Sequence, residues 1–147
     1  MHQSYWTPFR NHTFRPRITF GFADATLPLS EQFSLGGQES FYGRREDDSR
    51  GRQLFLVNME YRYKLPVKIL FDTYLKLRYD VGMISKVIRS IAMRNFQHGI
   101  GIELAFDTPI GSASVAAGKE FVFQKSLLET KIISRPMLAY FSVGHKF

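Results

Sequence analysis

The stretch F-L-V-N-M-E-Y-R-Y-K-L, Phe55 to Leu65, decides the fold class. Phe55, Val57, Met59, Tyr61, Tyr63 and Leu65 share one parity, while Asn58, Glu60, Arg62 and Lys64 hold the other. A side-chain period of two belongs to a β-strand, whose successive residues point to opposite faces, so the segment reads as a strand with one apolar and one polar face. After Pro66 the alternation restarts, with Val67, Ile69, Phe71, Leu75, Leu77 and Tyr79 against Lys68, Asp72, Lys76, Arg78 and Asp80. The two segments read as a hairpin turned at Leu65-Pro66.

The same pattern continues on both sides. Upstream, Phe14, Ile18, Phe20 and Phe22 alternate with Arg15, Arg17, Thr19 and Gly21. Downstream, Phe96, Ile100, Ile102, Leu104 and Phe106 alternate with Gln97, Gly99, Gly101, Glu103 and Asp107. A tight turn, T-P-I-G at Thr108 to Gly111, carries Pro and Gly where their backbone preferences suit a turn. Its return arm, Ser112 to Phe123, sets Ala113, Val115, Ala117, Phe121 and Phe123 against Ser112, Ser114, Gly118 and Glu120, and a last strand runs from about Met137 to Phe147.

These segments make six long strands in antiparallel, up-and-down succession within one all-β domain, residues 1–147. Longer connections fall at Ala25 to Arg52, Val81 to Asn95 and Gln124 to Pro136. Short turns alternating with long loops, on strands of the length needed to cross a bilayer at a tilt, are expected of a transmembrane β-barrel. Soluble sandwich strands are typically about 5 to 6 residues. Tyr61, Tyr63, Tyr79, Phe96 and Phe147 near strand ends suit interfacial aromatic girdles. Alternation by itself does not say which face is wet, so a soluble barrel with its apolar parity turned inward around an apolar ligand is the alternative.

Composition narrows the classes further. The chain has 147 residues, 44% hydrophobic, and 14 Phe, 7 Tyr and 1 Trp leave no room for a disordered tail. It has no cysteine, which excludes disulfides and thiolate metal sites. Uninterrupted apolar runs reach three or four residues, as at Leu54 to Val57, against the roughly twenty of a spanning helix. The first residues carry no signal-peptide core, so export relies on a targeting segment of a longer chain. The net charge of +7 comes from 20 Lys and Arg interleaved with carboxylates along the whole length, which does not read as a nucleic-acid surface. No G-x-S-x-G elbow occurs, and His2, His12, His98 and His145 lack ligand spacing, so no catalytic group, cofactor or metal is assigned. Asp47 and Asp48, beside Arg44, Arg45 and Arg50, read as solvated ion pairs. Met83 to Arg94 fits either a short amphipathic helix or an extension of two strands.

The long connection contains F-S-L-G-G-Q-E-S-F-Y-G-R-R, Phe33 to Arg45. In order after it come N-x-E-Y-R-Y-x-L-P at Asn58 to Pro66, Y-D-V-G at Tyr79 to Gly82, H-G-I-G-I-E-L at His98 to Leu104, T-P-I-G, and a terminal Phe147. This collinear set, covering nearly the whole chain, resembles the C-terminal half of the bacterial surface antigen superfamily: BamA-type outer-membrane insertases, two-partner secretion transporters and the barrel tails of patatin-like phospholipases. The resemblance implies a bacterial outer-membrane location and a loop folded back into the barrel lumen. The tip of that loop carries an Arg-Gly-aromatic motif paired with an acid of the wall. Here the family's Arg position falls on Tyr42, preceding Gly43, and Arg44 is the next guanidinium able to substitute. The candidate lumen motif is therefore Gly36, Gly37, Phe41, Tyr42, Gly43 and Arg44; the other reading is an extracellular loop with a Gly-shaped tip.

The C-terminal F-S-V-G-H-K-F resembles the signal through which the outer-membrane assembly machinery pairs a strand edge, with Phe141, Val143, Gly144 and Phe147 as its residues. Six strands leave two open edges, which lipid does not satisfy. The chain therefore reads as the C-terminal part of a larger barrel, completed by upstream strands or by self-association. The function expected is outer-membrane protein assembly or translocation without chemistry of its own, in contact with outer-membrane lipids. Anchoring or exporting a patatin-like lipase, whose nucleophile would precede Met1, is the alternative.

Overall fold

The computed structural model describes residues 1–24, 26, 28–66, 71–86, 96–109, 111–125 and 130–144. The long strands are β3 (His12–Phe22), β6 (Gln53–Lys64), β7 (Asp72–Ser85), β8 (Gln97–Thr108) and β9 (Gly111–Lys125). Shorter ones are β1 (His2–Gln3), β2 (Trp6–Phe9), β4 (Phe33–Leu35), β5 (Ser49–Gly51), β10 (Thr130–Ser134) and β11 (Leu138–Gly144). One antiparallel sheet runs β1-β3-β6-β7-β8-β9-β10, with β2 also on β3 and β11 also on β9, while β4 and β5 pair separately within the long loop.

Most strands lie where the alternation places them, and two of the three long connections are shorter than expected. Ser134 pairs with Phe121 and Leu138 with Gly118, so β10 and β11 are two pieces of one edge strand. The expected loop Gln124 to Pro136 thus contains a paired segment. Three residues, Arg135 to Met137, stand opposite two, a β-bulge around Pro136, which has no N–H to give the ladder. Likewise β7 continues to Ser85, shortening the connection expected from Val81; Met83 to Ser85 are strand, and 87–95 lie outside the described residues. The register also corrects the first hairpin. Lys64 pairs with Tyr74 and the Leu65 N–H reaches the Thr73 carbonyl, so Leu65-Pro66 closes an arm and does not form the turn. Val67 and Ile69, read as strand, lie outside the described residues, and β7 begins at Asp72, after Phe71. The N-terminal β1 and β2 were not expected: all four residues of β2 are exposed and one is Pro8, so no alternation marks it.

The apolar parity points outward. Phe20 is 57% exposed and Phe141 74%, whereas Asp80 and Glu120 on the opposite face are 0% and 1% exposed. A soluble barrel would show the reverse. The outward face carries Ile18, Met59, Leu77, Ile100, Ile102 and Val115, with aromatic groups at both ends. Phe20, Phe55 and Phe96 pack together at the long-loop end, as do His98, Phe121 and Phe123, while Phe9, His12 and Tyr63 cluster at the short-turn end. An apolar band between two aromatic girdles is the lipid-facing surface of a transmembrane barrel. No pairing joins the two edges of the sheet among the described residues, as befits a segment of a larger barrel.

Candidate functional site: the loop seated on the inner face

The inner face is covered by the long loop. A backbone bond from Ala23 N–H to the Arg52 carbonyl closes its base, and β4 pairs with β5 across it. A small apolar cluster of Leu35, Phe41, Leu54 and Leu56, with Phe33 and Ile84 against it, fastens the loop to β6 and β7. Beyond the cluster the chain turns tightly: Phe41 N–H donates to the Gly37 carbonyl at 2.9 Å and Gly37 N–H to that of Arg44 at 3.0 Å.

Phe41, Tyr42 and Arg44 at the tip are 0%, 1% and 4% exposed. The barrel wall makes space for them with glycines of the polar parity. A methyl group at Gly101 would lie 2.4 Å from the Tyr42 ring, one at Gly118 2.7 Å from it, and one at Gly99 2.6 Å from the Tyr42 carbonyl oxygen. Gly43 sits at φ 84° with its α-carbon against the β9 backbone, where a side chain would meet Glu120 N at 2.1 Å. Only glycine meets both demands.

Two neighbouring subsites result. In the first, Tyr42 N–H donates to Asp80 Oδ2 at 2.9 Å and its hydroxyl to Glu103 Oε2 at 2.8 Å. The Arg78 guanidinium lies 3.9 Å from the Tyr42 ring centroid and pairs with Asp80 at 3.0 Å, while Lys76 holds the other Glu103 oxygen at 2.7 Å. Asn58 links Asp80 Oδ1, at 2.6 Å, to the Ser40 carbonyl, at 2.9 Å, and accepts from Arg17 at 2.8 Å. Burial first, and the Glu103 carboxylate second, hold the Tyr42 phenol far above its ordinary pKa, so it stays a donor. Asp80, beneath the tip, is thus met by an arginine of the wall itself, Arg78, which stacks on the Tyr42 ring.

In the second subsite Arg44 makes a two-pronged pair with Glu120: Nε to Oε2 and Nη2 to Oε1, both 2.9 Å, with Nη1 on Ser49 Oγ at 2.7 Å. Such forked pairs are the strong ones, and the buried guanidinium–carboxylate contact absent at Tyr42 is present two residues along, at Arg44. Arg45 is exposed. The edge strand joins in: the Tyr140 hydroxyl receives the Gly43 N–H at 2.9 Å and donates to the Arg44 carbonyl at 2.8 Å, and Arg135, turned inward at the bulge, reaches Asp48 at 3.1 Å and Glu120 at 3.4 Å.

All six motif residues are therefore brought together, Gly36 and Gly37 shaping the tip and the rest touching the wall. Asp47 and Asp48 divide: Asp47 makes an exposed pair with Arg50, and Asp48 belongs to the Arg135 contact. Of the C-terminal signal, Phe141 and Val143 point outward, Gly144 pairs with Ser112, and Phe147 lies outside the described residues. Sequence reasoning missed Asp80, Glu103, Glu120, Asn58, Arg78 and Tyr140 as site residues. Their signal was glycine within strands, at positions 99, 101 and 118, which marks close approach of another backbone. Among the described residues no group of His, Asp and Glu is arranged to hold a metal ion.

No curated protein matches the chain in sequence. The family model for the Omp85 superfamily domain does, over residues 1–147. With an outward apolar band, an inner polar face and a loop seated on it, the chain belongs to the Omp85 superfamily, a family of outer-membrane β-barrels of assembly and transport.

Proposed function

We propose that this chain is the C-terminal barrel part of a bacterial outer-membrane protein that inserts or translocates polypeptides, with the loop Phe33–Gly51 as its lumen element. The observation that carries this reading is the buried tip, in which Arg44 and Tyr42 engage Glu120, Glu103 and Asp80 from strands β9, β8 and β7. A loop that merely covered the outside would not need charged partners nine-tenths buried on the inner face, because stripping water from them is costly unless every partner is in place. The chain contributes binding and conformational work only. The C-terminal strand β11, with Phe141 and Val143 outward and its outer edge unpaired among the described residues, is the part on which the assembly machinery would act by adding a strand.

The test is Glu120→Gln and Arg44→Gln, singly and together, in the full-length protein, scored by insertion of a reporter barrel into proteoliposomes and by secretion of a passenger. Loss of either activity in barrels that still fold supports the reading; full activity in the double variant overturns it. Tyr42 at the arginine position favours a second reading, a barrel that anchors or exports a patatin-like lipase. A nucleophile elbow upstream of Met1 in the full-length protein, with lipase activity at the cell surface, would select it.

A further inference from the structure

A cation, Lys119, stands on the lipid-facing surface of β9. Lys119 has the outward parity, is exposed, and pairs in register with Ile100. No carboxylate among the described residues partners it. Its neighbours are apolar: Leu77, Ile100, Ile102, Ala117 and Met137 line an open groove of about 260 Å³ beside it. A lysine facing lipid is costly toward the bilayer centre and tolerated near the headgroups, so its height matters. Phe121, the next outward residue of β9, pairs with His98 and stacks on it within the girdle of the long-loop end. Two residues of strand span about 7 Å, a distance the lysine stem covers by snorkelling. The ammonium is thus delivered to headgroup level while its root stays in the apolar band.

The groove lies one rung deeper. Ile102 pairs with Ala117, and Ala117 with Ala139, so two methyl side chains leave a dent between Ile102 and Met137. The bulge at Arg135 to Met137 sets Met137, 70% exposed, at the rim. A cation above an apolar trough is the polarity of a lipid: phosphate toward the headgroups, chain toward the midplane. We propose that this groove binds an anionic lipid of the leaflet on the long-loop side, its phosphate on Lys119 and one acyl chain over Ala117 between Ile102 and Met137. The site rests on the lipid-facing assignment of this surface and adds a charged lipid as a specific ligand.

The experiment uses the full-length protein in bilayers of phosphatidylcholine with a minority of phosphatidylglycerol, extracted gently and weighed by native mass spectrometry. The wild type retains phosphatidylglycerol over phosphatidylcholine by about fivefold, the effect of one lysine at an anionic surface. Lys119→Gln abolishes the preference, Lys119→Arg keeps it, and Ala117→Leu lowers retention by filling the dent. Arg10→Gln, a cation of the opposite end, leaves it unchanged. Equal retention of the two lipids by the wild type, a preference that survives Lys119→Gln, or an equal loss in Arg10→Gln overturns the site. A protein that enters no bilayer of either composition overturns the barrel reading beneath it.

Discussion

The two faces of the sheet are made from the same strands and obey opposite rules. On the inner face the partners are specific: Asp80 has three, Glu120 two, and the floor is glycine where the loop backbone passes. On the outer face large apolar side chains stand in a row with lipid as their only requirement. The inner face therefore depends on exact identities, and the outer, away from the Lys119 groove, on character alone. Substitutions that keep the β-strand intact should separate the two.

The largest effect is expected at Glu120. Replacing it with Ala strands the Arg44 guanidinium, 4% exposed, without its carboxylate. Breaking a buried pair by removing one member costs about 3–5 kcal/mol, more than any one of the remaining hydrogen bonds at Tyr42 and Tyr140 contributes to holding the tip. Hydrogen exchange of peptides covering residues 36–45 should show protection lost, with β6 to β8 still protected. Next comes Gly101→Val. Valine suits a strand, yet its first carbon would already lie 2.4 Å from the Tyr42 ring, an overpacking worth about 1–3 kcal/mol. The same peptides should exchange faster by roughly ten- to a hundredfold on that scale. Unchanged protection in either variant would mean that the inner face is as permissive as the outer.

Tyr42→Phe is subtler. It keeps the ring over Arg78 and the backbone bond to Asp80, and removes only the hydroxyl that donates to Glu103. Glu103 retains Lys76, so the loss is that of one hydrogen bond to a carboxylate, about 1.5–3 kcal/mol. Protection of the tip should fall by less than in Glu120→Ala. A collapse equal to that of Glu120→Ala would show that the Tyr42 subsite, and not the Arg44 pair, holds the loop.

What could be read in advance divides along the same line. The outer face was legible because its rule is statistical: any large apolar residue at every second position of β3, β6, β8 and β9 reports it, and one exception leaves the pattern intact. The seat of the loop was not, because it depends on which strand meets which at what height. Glu103 and Glu120 are seventeen positions apart, and only the β8–β9 register, which sets Glu103 opposite Ala116 and Glu120 opposite Gly99, brings both acids to one face under one loop. The tip motif was visible as glycines and aromatics, while its partners looked like ordinary members of the polar parity. The broken edge strand hid for a related reason: Pro136 signals an end of pairing, and only the register shift between Ser134 and Leu138 turns that end into a bulge that aims Arg135 at the loop.

The smallest effect tests the outer rule. Leu104 faces outward, 38% exposed, opposite Leu75 and Val115. Leu104→Met preserves volume and apolarity, and with lipid on one side no cavity forms, so the cost should stay below about 1 kcal/mol. Denaturant unfolding in vesicles should give a midpoint close to that of the wild type, and the loop peptides should keep their protection. Leu104→Gln, of similar size, removes only the apolar character. If the surface faces lipid, Gln should destabilise the protein far more than Met, because its amide has no partner there. If the two variants unfold alike, the outward face is in water, and the contrast between the faces rests on the loop alone.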